Sequence, residues 1–409
     1  MSQTIFKNAM LLDADGGALI GPCNVLVEGG LVAYITTGPI RRKGAATYDI
    51  KGKTLMPGLC DAHVHVTAAT PDFVALRRWP VSYVTARASE ILQGMLMRGF
   101  TTVRDAGGAD FGLAQAVDEG YIVGPRILYC GKALSQTGGH GDMRKPGEQS
   151  PDQCYCSAGL GHVVDGVAEV RRAARDEIRK GASHIKIMAS GGVTSPTDRI
   201  GNLQFSLEEI SAIVDEAEAA GLYVMAHAYS AEAVNRALEC GVRSIEHGNF
   251  LDRDSIDLFK KMDAFLVPTL GAYHALADEG VEAGLPAEML GKLAEVMDAG
   301  KVALELADKH GVKIAFGTDL LGSMHRRQSD EFTLRAQVQT SRAVLRSATI
   351  TAAELFGLQG QIGLIEEGAQ ADLLVIDGNP IDDLTLLQHQ GKHMLAIMKG
   401  GVFYKNELG

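Results

Sequence analysis

Histidine, aspartate and lysine residues occur along this chain at positions that suit metal binding. His63 and His65 are separated by one residue, a spacing that on a β-strand points both imidazoles to the same face. Imidazole and carboxylate together favour zinc or a similar divalent ion, and a catalytic site leaves one position open for water. The pair alone is a weak signal, and four further candidates strengthen it. These are Lys186, His227, His247 and Asp319.

All of these candidates lie at or near the C-terminal end of a predicted strand. Strands alternate with amphipathic helical patterns and are predicted over residues 59–66, 101–107, 126–131, 184–191, 223–228, 244–248, 264–269 and 313–319. This order, over about 300 residues, is typical of a (β/α)8 TIM barrel, whose active site is built at the C-terminal strand ends. We therefore expect the candidate side chains to meet at one mouth of the barrel. A doubly wound sheet is the alternative architecture.

The two ends of the chain have a different pattern. Residues 1–57 and 361–409 contain short alternating apolar runs separated by Gly-rich turns, which is typical of small antiparallel strands. Neither segment is long enough to bury a good core alone. We predict an α/β protein in which residues 1–57 and 358–409 form a discontinuous β-sandwich domain beside a barrel of residues 58–357.

Composition limits the classes of partner. The chain has 409 residues and a formal net charge of −11, so no basic surface is expected to neutralise phosphates, and neither nucleic acid nor an anionic membrane is an expected partner. The sequence contains no run of about 18 apolar residues that would suit a membrane span. The N-terminal residues do not resemble a secretory signal, so we expect a cytoplasmic protein.

The six cysteines are scattered and do not form a disulfide framework or a zinc motif. Cys154 and Cys156 are the only close pair, and we interpret them as loop thiols. Lys186 lies in an otherwise apolar predicted strand, where a charged amine is costly to bury. Two interpretations stay open at this point: a lysine that is paired or neutral, or an amine that has reacted with carbon dioxide to form a carbamate.

Several motifs, in order along the whole chain, carry a family resemblance. One set resembles the amidohydrolase superfamily: Asp61-Ala-His63-Val-His65, Ile185-Lys186-Ile187, Ala226-His227-Ala228, Glu246-His247-Gly248 and Gly317-Thr318-Asp319. A second set resembles its prolidase-like branch: Pro57-Gly-Leu, Phe100-Thr-Thr-Val-Arg-Asp105, Ser135-Gln-Thr-Gly-Gly-His140 and Met188-Ala-Ser-Gly-Gly-Val193. That branch contains binuclear metal dipeptidases and N-acyl-amino-acid hydrolases, and it is related to the ochratoxin amidohydrolases.

The resemblance implies a role for each ligand candidate. His63, His65 and Asp319 would bind one divalent ion, and His227 and His247 would bind a second. Both ions are expected to be Zn²⁺, although such sites also accept manganese or cobalt. Carboxylated Lys186 (N6-carboxylysine) would bridge the two ions.

The resemblance also implies a reaction. A hydroxide between the ions would attack an amide carbonyl, and Asp319 would act as the base that passes a proton to the leaving nitrogen. His140 would contact the scissile carbonyl and stabilise the oxyanion. Tyr229 would contact the substrate's carboxylate or the oxyanion. For His140 a plain loop histidine, and for Tyr229 a packing residue at a helix start, are the alternatives.

Other polar and sulfur residues receive structural interpretations. We expect Asp105 to pair with Arg104 or with a loop amide. Arg326 and Arg327 are either receptors for a substrate carboxylate or a solvated loop. Residues 41–43, which are basic, should be exposed, and Met95 and Met97 should fill the core.

The function predicted from this resemblance is hydrolysis of Xaa-Pro dipeptides or N-acyl amino acids with release of the C-terminal residue. The nearest alternative is a carboxypeptidase or amidase for hydrophobic or aromatic C-terminal residues, including ochratoxin-type N-acyl-phenylalanine. An imidazolonepropionase-like cyclic amidohydrolase is a further alternative, against which Lys186 argues. A non-catalytic scaffold is the last. A homo-oligomer is implied, and an octamer is suggested.

Overall fold

The structure, a computed structural model, describes residues 3–148 and 157–409 except residues 14 and 16. The pair Cys154 and Cys156 lies outside the described residues. Within the described part of the chain, no helix has the length and hydropathy needed to cross a bilayer.

Strands occur at both ends of the chain and throughout its middle. The N-terminal strands are β1 (Gln3–Asp13), β2 (Ala18–Glu28), β3 (Leu31–Thr36), β4 (Ala46–Asp49) and β5 (Thr54–Pro57). The central strands are β6 (Leu59–Val64), β7 (Phe100–Asp105), β8 (Arg126–Tyr129), β9 (Ala133–Ser135), β10 (Gly161–Val163), β11 (Ile185–Met188), β12 (Val224–Ser230), β13 (Ser244–Phe250), β14 (Phe265–Val267) and β15 (Lys313–Ile314). The C-terminal strands are β16 (Leu373–Ile376), β17 (Met394–Lys399) and β18 (Val402–Asn406).

Helices alternate with the central strands. They are α1 (Phe73–Leu76), α2 (Val81–Met97), α3 (Phe111–Asp118), α4 (Val167–Arg179), α5 (Leu207–Ala219), α6 (Ala231–Glu239), α7 (Arg253–Lys261), α8 (Leu270–Ala283), α9 (Leu290–Lys309), α10 (Asp330–Arg335), α11 (Ser341–Ser347) and α12 (Ile350–Phe356). Helix α5 begins with a capping box in which Ser206 accepts from the Glu209 backbone and the Glu209 side chain accepts from the Ser206 backbone. This cap fixes where α5 begins.

The parallel central strands close into a barrel. The ladders run in the order β6-β7-β8 and β10-β9-β11-β12-β13-β14-β15. Backbone hydrogen bonds join the two sets, from Ser183 N to Tyr129 O at 2.8 Å and from Ala62 N to Phe316 O at 2.7 Å. Each of the predicted barrel strands is present, and the last of them is only two residues long. The predicted fold class is confirmed.

The strands of the two chain ends form one sheet in the order β18-β17-β16-β5-β1-β2-β3, with β4 beside β1. Alternate residues of β16 contact different cores: Leu373 and Val375 pack inside the terminal sheet region, whereas Leu374 and Ile376 pack with barrel residues such as Phe100. Hydrophobic burial on both faces therefore attaches this sheet to the barrel. The domain boundaries themselves stay a prediction. As expected, Met95 lies in the shared core, and Met97 packs against it.

Candidate metal centre

Three of the predicted ligands meet at the mouth of the barrel. His63 and His65 lie at the end of β6, and Asp319 follows β15. The Nε2 atoms of His63 and His65 are 3.4 and 3.3 Å from Asp319 Oδ1. One ligand atom from each residue lies within 4.8 Å of the other two. This arrangement of two imidazoles and a carboxylate fits a single divalent cation.

Hydrogen bonds outside this group fix the tautomers of both histidines. His63 Nδ1 donates to Glu246 Oε2 at 2.7 Å, and His65 Nδ1 donates to the Gly107 carbonyl oxygen at 2.9 Å. A neutral imidazole that carries its proton on Nδ1 has a free lone pair on Nε2. Both Nε2 lone pairs therefore point to the side where Asp319 lies.

His227 and His247 stand next to this group. Their ring centroids are 4.7 Å apart, and the centroid of His247 is 5.3 Å from that of His63. His227 Nε2 donates to the Gly191 carbonyl oxygen at 3.0 Å, which leaves Nδ1 free. His247 Nδ1 is hydrogen-bonded with the Thr269 hydroxyl at 2.7 Å, which leaves Nε2 free. Each ring thus keeps one nitrogen available for a ligand.

The backbone around these ligands adopts a conformation that is uncommon outside glycine. The φ angles of His247, Thr269 and Asp319 are +76°, +50° and +51°. Left-handed conformations at non-glycine residues cost free energy and occur where the surrounding structure imposes them, often at functional sites. The Asp319 N–H donates to the His63 carbonyl oxygen at 2.8 Å and so ties this turn to β6.

Lys186 projects from β11 into the pocket that His63, His227 and Asp319 also line. Its side chain is buried, and burial lowers the pKa of its ammonium group below the ordinary value. Among the described residues it forms no ion pair, so the interpretation of Lys186 as a plain paired lysine gains no support. The carbamate stays a prediction.

Charge around the ligands favours an ionised Asp319. Burial alone would raise the pKa of this carboxyl, but His63 and His65 beside it hold the pKa well below its usual range. Behind His63, the Glu246 carboxylate also accepts from the Arg104 Nη2 atom at 2.9 Å. Arg104, Glu246 and His63 are all buried, so this candidate ligand is supported by an ion pair out of contact with solvent.

Asp105 and Asp61 support the site through backbone contacts. Asp105 accepts from the backbone N–H groups of Val66, Gly107 and Ala109 at 2.8, 3.0 and 3.0 Å. The expected contact with loop amides is therefore confirmed, whereas Arg104 pairs with Glu246 and not with Asp105. Asp61 accepts from the Thr318 hydroxyl at 2.6 Å and connects β6 to the segment that carries Asp319.

The substrate-contact candidates line the same pocket. The His140 ring stacks on His227 with centroids 4.2 Å apart. The Tyr229 ring stacks on His247 with centroids 5.0 Å apart. Burial is the main reason that the pKa of His140 falls to about 4, and burial also raises the pKa of Tyr229 well above its usual value. The six ligand candidates, His140 and Tyr229 are thus brought to one cavity.

Comparison with known proteins identifies the family of this chain. A family model described as "Amidohydrolase family" matches residues 54–402. The chain belongs to this family. A crystal structure of an amidohydrolase superposes with a TM-score of 0.98 at 48% identity over 100% of both chains. A crystal structure of a prolidase complexed with N-methylphosphonate-L-proline gives a TM-score of 0.97 at 48% identity, over 99% of this chain and 100% of that one. The ochratoxinase of Aspergillus niger is 31% identical over 98% of this chain and 86% of its own length.

Two pocket residues of this amidohydrolase carry no signal in the sequence motifs. Arg77, just after α1, lines the pocket and pairs with Glu148. Tyr273 on α8 lines it as well, and its hydroxyl donates to Asn249 Oδ1 at 2.9 Å. Neither residue lies at the C-terminal end of a barrel strand. Only knowledge of which helices border the pocket could have identified them.

Arg326 and Arg327 do not line the pocket. They lie in a short 3-10 segment (Gly322–Arg327) and pair with acidic residues at the surface: Arg326 with Glu279, and Arg327 with Asp278 and Asp330. The carboxylates that these two arginines bind therefore belong to this chain and not to a substrate. The solvated-loop interpretation is the one that the structure supports, and residues 41–43 are exposed as expected.

Proposed function

We propose that this amidohydrolase is a binuclear metal-dependent enzyme that cleaves Xaa-Pro dipeptides or N-acyl amino acids and releases the C-terminal amino acid. The observation that carries the proposal is the convergence of four imidazoles, Asp319 and Lys186 on one pocket. Membership of the amidohydrolase family supports hydrolysis of an amide or peptide bond. The similarity to a prolidase at 48% identity supports the Xaa-Pro class.

The proposed ligand assignment follows the free nitrogens. His63, His65 and Asp319 would hold one ion, and His227 with His247 would hold the other. A carbamate on Lys186 would bridge the two ions. Two divalent ions bound in this way, which we propose to be Zn²⁺, lower the pKa of water to about 7 and polarise an amide carbonyl.

The protein's own groups would then handle the proton and the substrate. Asp319 accepts the proton of the attacking water and returns it to the leaving nitrogen, a role that requires an ionised carboxylate within hydrogen-bond reach. His140 contacts the scissile carbonyl oxygen. Tyr229, whose ring packs against His227 and His247, contacts the carboxylate of the leaving amino acid or the oxyanion. Apolar side chains such as Leu276 and Leu321 complete the pocket.

A second substrate class is supported by a specific observation. The ochratoxinase of A. niger matches almost the whole chain at 31% identity, and its crystal structure superposes with a TM-score of 0.86. An N-acyl-phenylalanine of the ochratoxin type is therefore the second candidate. One methylene more or less in a pocket shifts preference by only about 1 to 3 kcal/mol, so the two classes have to be separated by measurement.

The test is release of free amino acid by the Zn²⁺-loaded protein from a panel of Xaa-Pro dipeptides, N-acyl-prolines and N-acyl-phenylalanines. We expect turnover of Xaa-Pro substrates with the highest kcat/KM. Asp319→Asn serves as the inactive control on the same panel. If the metal-loaded protein releases no amino acid from any member, the proposal is wrong.

We propose in addition that the enzyme is a cytoplasmic homo-oligomer, with an octamer as the expected size. Light scattering coupled to size-exclusion chromatography measures the molar mass directly. A mass equal to that of one 409-residue chain would contradict this part of the proposal.

A further inference from the structure

A buried chain of hydrogen bonds leads away from His140. His140 Nδ1 lies 2.8 Å from the Ser195 hydroxyl oxygen, and that hydroxyl is in close contact with Asp198 Oδ1. Ser195 and Asp198 are 1% and 5% exposed. Both belong to the loop that follows β11, and this loop contacts the loop after the neighbouring strand β9, which carries His140.

The proton positions in these hydrogen bonds can be assigned from the acceptors. Asp198 is surrounded by donors: Gln204 Nε2 donates to Oδ2 at 2.9 Å, and Lys292 Nζ lies 3.4 Å from Oδ1. The short contact between Ser195 and the carboxylate therefore holds the single hydroxyl proton of Ser195. The alternative acceptor for this proton, the Gly192 carbonyl oxygen, is farther away at 3.3 Å.

Because the Ser195 proton is directed to Asp198, the Ser195 oxygen can only accept from His140. His140 must then carry a proton on Nδ1, whatever the protonation of its other nitrogen. Nε2 is left as the ring nitrogen that can contact substrate in the pocket, and it donates to the carbonyl oxygen when the ring is doubly protonated, with Nδ1 still bound to Ser195.

The surroundings hold this arrangement rigidly. Lys292 on α9 donates to the carbonyl oxygens of Gly192 and Ser195 at 2.9 and 3.0 Å. The His140 backbone N–H donates to Gln204 Oε1 at 2.8 Å, and the same Gln204 side chain donates to Asp198. One glutamine and one lysine thus fasten the His140 loop and the Ser195 loop to each other.

We propose that Asp198 and Ser195 are positioning residues that fix the tautomer and orientation of His140, so that Nε2 faces the scissile amide. This inference rests on the proposed function, in which His140 contacts substrate. The logic is that of a catalytic histidine oriented by a buried acid, where the wrong tautomer is costly even with the ring in place. Neither residue would touch the substrate's reacting atoms.

The experiment uses the full chain loaded with Zn²⁺ and labelled with ¹⁵N in histidine. The ¹⁵N resonances of protonated and unprotonated ring nitrogens differ strongly, and the spectrum of His140→Gln identifies the His140 signals. In the wild type we expect a protonated Nδ1. Ser195→Ala and Asp198→Asn should each abolish the resonance of the protonated Nδ1. Each should also lower kcat by about 10- to 100-fold, with a smaller change in KM.

Asp165→Asn is the matched control. Asp165 accepts from the Thr137 N–H and hydroxyl at 2.9 and 2.6 Å, in the same loop as His140, but it does not contact the ring. Its spectrum and its kcat should match the wild type. Circular dichroism identifies any variant that has lost its fold, and the wild-type spectrum decides the tautomer without any variant.

The outcomes separate this inference from the proposed function. An active enzyme whose His140 lacks a proton on Nδ1, or keeps the wild-type pattern and rate in both variants, overturns the positioning role and leaves the function standing. A protein that cleaves no substrate of the panel, but whose Nδ1 proton is lost in Ser195→Ala, supports the tautomer assignment and contradicts the function.

Discussion

Arg104 and Glu246 form an ion pair directly behind His63, a candidate metal ligand. Arg104 Nη2 is 2.9 Å from Glu246 Oε1, while Glu246 Oε2 accepts from His63 Nδ1 at 2.7 Å. Arg104 is further fixed by the Ala62 carbonyl oxygen and the Ser244 hydroxyl at 2.7 and 3.0 Å. All of these groups are buried, so one carboxylate both compensates a buried guanidinium and sets the tautomer of the proposed metal ligand His63.

Glu246→Gln should therefore damage stability and metal binding together. The glutamine cannot accept on both sides, and its amide group faces a donor either on Arg104 or on His63. Breaking a buried pair by removing one partner costs about 3 to 5 kcal/mol, and the loss of a partner behind a ligand weakens metal affinity about 10- to 100-fold. Urea unfolding of the metal-free protein and Zn²⁺ titration measure the two effects.

Glu354→Gln is the control for that change. Glu354 also pairs with a basic residue, Lys313, at 2.7 Å, but at the surface, where such a pair contributes no more than about 1 kcal/mol. An unfolding midpoint of Glu246→Gln equal to that of this control would show that the buried pair does not support the site.

The convergence of the candidate ligands could be predicted from the sequence, because the C-terminal ends of all barrel strands lie at the same mouth. His63, Lys186, His227 and His247 each belong to a strand with a clear apolar pattern, and parallel strands end at one mouth. The loops have no such rule. Ser195 meets His140 across 55 positions of the chain, and no periodicity predicts that contact.

Closeness in sequence to Asp319 does not bring Arg326 and Arg327 into the pocket. Arg326 and Arg327 follow Asp319 closely, but the 3-10 segment that carries them directs both toward acidic residues of α8 and α10. Arg77 reaches the pocket from far earlier in the chain. Local sequence therefore predicts the ligands better than the pocket walls.

Gly192→Ala should displace His140. A Cβ at this position would lie 2.2 Å from the Cε1 atom of the His140 ring and 2.5 Å from Nδ1, and the stacked His227 restricts movement of that ring away from it. A misplacement of about 1 Å in a catalytic site can cost about 100-fold in rate, and we expect a loss of that size in kcat/KM.

Gly201→Ala is the matched substitution, because a Cβ there meets nothing within 4 Å. It should change the free energy of unfolding by no more than about 0.5 kcal/mol and leave catalysis intact. Equal kcat/KM values for the two alanine variants would contradict the close approach of Gly192 to His140.

Lys186→Ala tests the bridging carbamate. Without the amine no carbamate can form, so metal content should fall below two ions per chain and activity should be lost. Acetate or formate added at high concentration can occupy the vacated space as a substitute carboxylate, and we expect it to restore part of both. Lys301→Ala, at an exposed position of α9, is the control. Two ions and full turnover in Lys186→Ala would rule out the carbamate.

Glu331 is a buried carboxyl that the proposed reaction does not use. Its Oε2 atom accepts from the Gly271 N–H at 2.6 Å, whereas Oε1 has no hydrogen-bond partner within the described structure. Burial raises the pKa of Glu331 from 4.5 to about 7, although Arg335 on the same helix opposes the shift. The folded chain thus keeps a proton that the unfolded chain releases at lower pH.

Between pH 4.5 and about 7, this proton is bound to the folded state and absent from the unfolded state, so the contribution of Glu331 to stability falls as the pH rises and levels off above that window. A shift of this size corresponds to about 3 kcal/mol. The glutamine in Glu331→Gln cannot titrate. The free energy of unfolding of this variant should therefore rise relative to that of the wild type by about this amount from pH 4 to pH 8. Urea unfolding of both proteins across this range measures the difference. Two stability curves that remain parallel would show that Glu331 is already ionised in the folded protein.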